Sequence, residues 1–254
     1  MITYIIYTNQ GKRDYNEDCA NVIETGSGIC LVLADGLGGH GKGEVASNIA
    51  VSNSLRQFEL HGMTDLFMEE AFQKSQKQIL EAQKELGSDS QAKTTLVVAA
   101  VSDQIIMLGH MGDSRGYMFD TSNGYRRTID HSVPQMLVQC GEIEEKEIRN
   151  HPDRNRLLKA LGMSSEEKVK WELDYKGEIM ETRAILLCSD GFWEYIDEAH
   201  MMKYLKRAHS VEDWMNKMLH HIRLKGIRQN MDNYTAVALW ITPKEKMKNG
   251  NCKL

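Results

Sequence analysis

Proline is scarce in this chain, with 3 in 254 residues, and no Gly/Ser-rich or Pro-rich stretch interrupts its middle. Nothing in the pattern marks a linker, so one domain is the simpler expectation, although the length alone allows two. Cysteine is also scarce. Cys19, Cys30, Cys140, Cys188 and Cys252 are odd in number, far apart and never spaced C-x-x-C. That argues against a disulfide framework and a thiolate zinc site, and points to a reduced, cytoplasmic setting. No apolar run approaches the roughly 18 residues of a membrane-spanning helix. The opening ITYIIYTN lacks a basic region and reads as a strand rather than a signal peptide. A basic surplus is missing too: 31 Lys+Arg stand against 36 Asp+Glu, a net charge of −5. Neither a membrane nor a nucleic acid is expected as a partner.

What is present suits a globular domain. Apolar residues make up 41% and charged residues 26%, enough for a sizeable core and too apolar for disorder. Strand patterns occur at Thr3–Thr8 and Gly28–Ala34. Helical periodicity follows over Val45–Leu60 and Thr64–Leu86, where Phe67, Ala71, Ile79, Ala82 and Leu86 share one face. TTLVVAAVS and IIMLGHMG, joined by Ser102–Gln104, predict a buried hairpin. A second hairpin is expected around Asn123-Gly124, a type I′ turn signal. His131 to Gly162 reads as short helical pieces and polar loop. Strands return at Lys168–Tyr175 and Arg183–Cys188. Helices start near Asp197 and Ser210, the latter with capping-box spacing to Asp213, and a strand closes at Tyr234–Ile241. Residues 243–254 read as a frayed tail. Hairpins imply antiparallel pairing, and strands this apolar need cover on both faces. The fold class expected is therefore α+β: two stacked antiparallel β-sheets flanked by helices on both outer faces.

Several carboxylates fall where apolar strands stop. Asp35 follows CLVLA, Asp190 follows ILLCS, Asp113 follows LGHMG, Asp18 stands in NED, and Asp232 precedes the last strand. A single Asp-Gly is a turn signal. Gathered in space, these residues would repel unless a cation neutralised them, and hard divalent ions prefer carboxylate oxygen. Two such ions sharing a carboxylate suit hydrolysis of a phosphate ester. The segment DGLGGHGKGE also matches G-x-G-x-x-G and nearly matches a phosphate-binding P-loop. Both alternatives need a parallel strand soon after the helix, where a second long helix is expected instead. Trp193 and Trp240 read as core, and His220-His221 lack metal-ligand spacing.

Taken together, Arg13 with Asn16-Glu17-Asp18, Asp35-Gly36-Leu37-Gly38-Gly39-His40, Thr94-Thr95, Gly112-Asp113-Ser114-Arg115, Ser189-Asp190-Gly191 with Trp193, and Asp232-Asn233 carry a resemblance. In this order and spacing they resemble the metal-dependent serine/threonine protein phosphatases, the PPM or type-2C family, from about Gln10 to Ile241. The stretch from Asp130 to Gly162 is similar to the bacterial branch. The resemblance implies a phosphatase domain over 1–242 with a flap at 131–162, and two Mn²⁺ or Mg²⁺ ions. It further implies that Asp35 bridges the ions, Gly36 ligates through its carbonyl, and Asp190 and Asp232 complete one shell. Asp18 would lie at the centre, Glu17 would act through water, and Asp113 with Asp190 would hold a weaker third ion.

Arg13 would bind the substrate phosphate, where a guanidinium fork can bond two oxygens. A water bridging the ions would attack phosphorus. Some members carry a histidine as general acid two residues after the first metal-binding aspartate, where this chain has Leu37; His40 lies in the same loop. The implied partners are phosphorylated proteins and a cognate Ser/Thr kinase whose signalling is reversed, and a monomer is expected. The alternatives are a catalytically weak phosphatase-like sensor and a hydrolase of small phosphate esters, because function resides in the site rather than the fold.

Overall fold

Strands with apolar residues on both faces need a partner layer on each, and the structure supplies two. The computed structural model describes residues 2–37, 42–87, 92–120, 122, 124–164, 166, 168–179 and 182–241. The chain begins with β1 (Ile2–Asn9), β2 (Asp18–Thr25) and β3 (Gly28–Leu37), then helices α1 (Lys42–His61) and α2 (Asp65–Glu85). Next come β4 (Lys93–Thr94), β5 (Leu96–Val101), β6 (Ile105–Met111), β7 (Arg115–Asp120) and β8 (Tyr125–Arg127). Helix α3 (Val133–Gln139) and a 3₁₀ turn at Glu145–Asn150 lead to β9 (Glu172–Glu178) and β10 (Thr182–Cys188). The short α4 (Asp190–Trp193), then α5 (Glu198–Arg207), α6 (Val211–Gly226) and β11 (Tyr234–Ile241) complete the order.

One sheet runs β1-β11-β10-β7-β8 and the other β2-β3-β5-β6-β9, with β4 on the end of β3. Every strand pairing among the described residues is antiparallel. The two sheets stack, and the period of two along each strand sorts the side chains. Leu31, Leu33, Val97 and Leu108 meet Ile185, Leu187, Val237 and Leu239 between the sheets. Cys30, Val32 and Val98, one residue out of phase, face outward beneath Phe58, Phe67 and Phe72 of α1 and α2. Leu186, Ala236 and Ala238 likewise lie under Trp214, Met215 and Met218 of α6. The central strands β3, β5, β10 and β11 are thus apolar on both faces for two separate reasons. The expected four-layer α+β sandwich is what the chain adopts. Among the described residues no helix is long and apolar enough to cross a membrane.

Local chemistry sets the helix starts. Thr64 accepts the Phe67 N–H at 3.3 Å to cap α2, and Ser210 accepts the Asp213 N–H at 3.2 Å to cap α6. The capping box at Ser210 is incomplete, because the Asp213 carboxylate takes the His209 N–H instead. Three elements depart from the sequence pattern. Strand β2 went unseen: DCANVIET has no clean alternation, and its pairing with β3 from Asp18↔Asp35 to Thr25↔Gly28 is what makes it a strand. The strand expected at Lys168–Tyr175 starts later, at Glu172, because the backbone at Val169 is taken by the Gln73 side chain and Trp171 stacks on Phe72. The β7–β8 hairpin forms, but Phe119 pairs with Tyr125 and the Asp120 N–H donates to the Gly124 carbonyl, so its loop exceeds a two-residue type I′ turn. Asn123, His40 and the tail at 243–254 lie outside the described residues. The antiparallel sheets remove the context that the dinucleotide and P-loop readings of Gly36–Gly43 require.

Candidate active site

Loops and strand ends from both sheets meet at one end of the sandwich around a cavity of about 420 Å³. Asp35, Asp113, Asp190 and Asp232 line it, with Arg13 and Glu17 at its walls. Asp18 lies beneath, directly opposite Asp35 in the β2–β3 pair. The structure therefore brings together every carboxylate that the sequence marked, from five separate segments.

Asp35 is held through its backbone. The Asp35 N–H donates to Thr95 Oγ1 at 2.9 Å, while its carbonyl accepts from the Thr95 N–H and Thr94 Oγ1, both at 2.9 Å. This leaves the Asp35 carboxylate free to point into the cavity. Gly36 packs so tightly on Gly43 that a Cβ would come within 2.4 Å of the Gly43 backbone, which explains glycine on both sides of the contact. Glu17 Oε1 accepts the Gly43 N–H at 3.0 Å, so this side chain secures the start of α1 as well as facing the cavity. Asp190 opens α4, and a side chain at Gly191 would collide with the Asn233 carbonyl at 2.2 Å.

Asn233 is a residue whose importance the sequence did not reveal beyond its place in a motif. Its Nδ2 donates to the carbonyls of Gln10 and Tyr15 at 2.8 and 2.9 Å, and its Oδ1 accepts the Glu17 N–H at 2.9 Å. It ties the Arg13 loop to the start of β2. The flap segment also contributes: Asn155 and Leu157 line the cavity, and Arg154 lies 4.0 Å from Asp190 while pairing with Glu194. One aspartate or arginine in HPDRNR looks like another in sequence, so nothing there singles out Arg154.

The electrostatics are those of crowded acids. Burial pushes the Asp18 carboxyl up to about 7, with Asp190 and Asp232 adding to the rise and the hydroxyls of Thr235 and Ser189 opposing it. Burial and the neighbouring carboxylates also raise Asp35 and Asp113, and Asp190 is raised to about 6. Arg13 Nη2 donates to Asp232 Oδ2 at 2.5 Å, and this bond holds the guanidinium pKa above its ordinary value. Asp18 Oδ2 accepts from Ser189 Oγ at 2.8 Å, but Asp18 Oδ1 is buried with no hydrogen-bond partner. An orphaned carboxylate oxygen among raised acids is costly unless a cation completes it. The donor set, all hard oxygen, fits Mn²⁺ or Mg²⁺. Among the described residues no three Asp, Glu, His or Cys side chains stand close enough to enclose an ion as they are placed. Beside Asp113, the Gly112 N–H donates to His131 Nδ1 at 3.1 Å. Burial against His110 lowers the His131 pKa to about 4, so this ring is a neutral acceptor.

Comparison with known proteins gives the family. The family model described as protein phosphatase 2C matches residues 7–234. The serine/threonine phosphatase stp of Listeria welshimeri is 33% identical over 219 residues, covering 81% of this chain and 84% of the relative. The solved serine/threonine phosphatase Stp1 of Staphylococcus aureus superposes with a TM-score of 0.85 at 27% identity, covering 96% of each chain. The catalytic domain of the phosphatase PstP, solved in complex with 2 manganese ions, superposes with a TM-score of 0.74 at 25% identity over 95% of this chain and 99% of its own. The chain belongs to the protein phosphatase 2C family and is, with it, a serine/threonine protein phosphatase.

Proposed function

We propose that the chain hydrolyses phosphoserine and phosphothreonine on proteins, using two Mn²⁺ or Mg²⁺ ions held by Asp35, Gly36, Asp190, Asp232 and Asp18. The observation that carries this reading is the convergence of carboxylates from both sheets on one cavity, with Asp18 Oδ1 buried and unpartnered at its base. The manganese-bound PstP neighbour supports the choice of ion. When bound, the ions supply Lewis acidity and a water made nucleophilic near neutral pH, in line with the phosphorus–oxygen bond that breaks.

The chain's own residues do the rest. Asp35, fixed through its backbone by Thr94 and Thr95, presents its carboxylate between the two halves of the site. Arg13 reaches the cavity from a half-exposed loop and rests on Asp232. From there its guanidinium would hold the substrate phosphate, whose oxygens match its planar fork, while Asp232 would serve as a ligand to the ion. Asn233 keeps that loop at the right height. Glu17 acts behind the ligands, through the start of α1 and through water. Asp113 serves a weaker third ion with Asp190. The 131–162 segment is a flap that reads the protein around the phosphoresidue, because it places Asn155 and Leu157 on the cavity wall. Substrates are phosphoproteins made by a Ser/Thr kinase in the cytoplasm, a setting consistent with the free thiols of Cys19, Cys30, Cys140 and Cys188. The phosphatase acts as a monomer.

The test is phosphate release from a phosphothreonine peptide after EDTA treatment, with and without added Mn²⁺. Turnover that requires Mn²⁺ is expected. Hydrolysis of small phosphate esters without any peptide turnover would replace this reading with a small-ester hydrolase, and ion binding without turnover would make the chain a sensor.

A further inference from the structure

The three-residue loop Gly112–Ser114 carries Asp113 across from β6 in one sheet to β7 in the other, and each residue is tied to a different part of the molecule. Gly112 exchanges two bonds with His131: its N–H meets Nδ1 at 3.1 Å, and its carbonyl accepts the His131 N–H at 2.9 Å. Ser114 Oγ shares a 2.7 Å bond with Thr95 Oγ1, which also accepts the Asp35 N–H. Asp113 itself is held at its carbonyl by the indole N–H of Trp193, at 3.0 Å and fully buried.

That indole is clamped with unusual care for a core side chain. It is 1% exposed, and the Arg115 guanidinium lies 3.6 Å from its ring centroid. Arg115 is fixed in turn by a fork on Asp130, with bonds of 2.9 and 2.7 Å. From the flap's 3₁₀ turn, Arg149 Nε donates to the Trp193 carbonyl at 3.1 Å, and its Nη2 reaches Glu198 at 2.9 Å. Trp193 also ends the single turn of helix that Asp190 begins. One residue therefore connects the Asp113 loop, through its indole, with the Asp190 turn and the flap, through its backbone.

We infer that Trp193 is a positioning residue for the cation site: its indole N–H fixes the Asp113 backbone and so aims the Asp113 carboxylate, while Arg149 makes that aim depend on how the flap is seated. This rests on the reading that Asp113 serves a divalent ion. A phenylalanine at 193 fills most of the same space but has no N–H. The backbone at Asp113 then loses its anchor and the carboxylate its fixed direction, with no change in the charge of the site.

The test is a double-mutant cycle read by calorimetric Mn²⁺ titration of the EDTA-treated protein, so it does not depend on turnover. Trp193→Phe is expected to weaken the loosest Mn²⁺ step by about fivefold to twentyfold, the size of one lost buried hydrogen bond. In an Asp113→Asn background the same substitution should change Mn²⁺ binding by less than about twofold, because the group it aims is gone. Arg149→Lys, which keeps the charge but not the fork, should give a smaller loss that also vanishes in that background. If Trp193→Phe fails to fold, β-(3-benzothienyl)alanine at 193 keeps the bicyclic shape and removes only the N–H. Equal losses with and without Asp113, or an unchanged isotherm, would overturn the inference. Failure of the wild-type protein to hydrolyse phosphopeptide would instead count against the phosphatase reading and leave this cycle intact.

Discussion

Asp18 offers a test in which stability and function move in opposite directions. Its carboxyl is raised from the ordinary 3.8 to about 7 by burial, with one oxygen left unpartnered. A folded-state pKa above the unfolded value means that the folded chain holds its proton more tightly. Without metal, stability therefore falls as pH rises from about 4 towards 8, the reverse of the usual carboxylate. The rise corresponds to roughly 4 kcal/mol by pH 8, where the group must ionise in place, and to less than half of that at pH 5. Asp18→Asn removes the ionisation while an amide can keep the Ser189 bond and offer its N–H to the neighbouring acids.

For a domain of this size each kcal/mol moves Tm by roughly 2–4 °C. In EDTA the variant should melt about 8–16 °C above the wild type at pH 8 and about 3–6 °C above it at pH 5. Added Mn²⁺ should raise the wild-type Tm and do little for Asp18→Asn, since binding stabilises only the state that holds the ion. Scanning calorimetry at the two pH values, with and without Mn²⁺, reads all four quantities. An Asp18→Asn protein less stable than wild type in EDTA at pH 8, or a gap that ignores pH, would refute the account of a buried carboxylate strained by the lack of a cation.

Other perturbations follow from the same geometry. Asp35→Asn should fold normally, because Thr94 and Thr95 hold its backbone rather than its carboxylate, yet lose about a thousandfold in kcat on phosphopeptides; a loss under about tenfold would remove Asp35 from the centre. Arg13→Lys should raise KM a few-fold and Arg13→Ala by about tenfold or more, with little change in Mn²⁺ affinity; unchanged KM in both would reduce Arg13 to a partner of Asp232. Arg115→Met strips the fork from Asp130, leaving it Arg127 at 3.4 Å, and should cost about 3–5 kcal/mol, or roughly 6–20 °C in Tm. Adding Asp130→Leu to that variant should recover part of the loss, whereas a Tm shift below about 2 °C would show that the buried pair contributes little.

The sandwich was legible because its strands are apolar on both faces and its helices are long and periodic. CLVLA before Asp35 and ILLCS before Asp190 mark both a central strand and the place where a carboxylate leaves it. Strand β2 was not legible, since DCANVIET becomes a strand only through its neighbour β3. The site aspartates could be gathered by their common position at strand ends and by family resemblance. The groups that aim them could not. Asn233, Thr95 and Trp193 act through backbone atoms of partners as far as 223 residues away in sequence, and no local pattern encodes that. Trp193 illustrates the difference: a core reading of it is correct for its ring and silent about its N–H.

The position of β11 has a consequence for how the protein comes into being. It is the last strand in the chain, yet it is inserted between β1 and β10, and Asp232 with Asn233 stands immediately before it. Ile2 pairs with Ile241 and Asn9 with Tyr234, contacts that span nearly the whole sequence and close late. Until β11 has paired, Asp232 and Asn233 have no fixed place beside Asp35, Asp113 and Asp190, and the Arg13 loop lacks the amide bonds that hold it. The cavity is thus complete only when β11 is seated between β1 and β10, and deletion of residues 234–241 is expected to abolish phosphopeptide hydrolysis rather than reduce it.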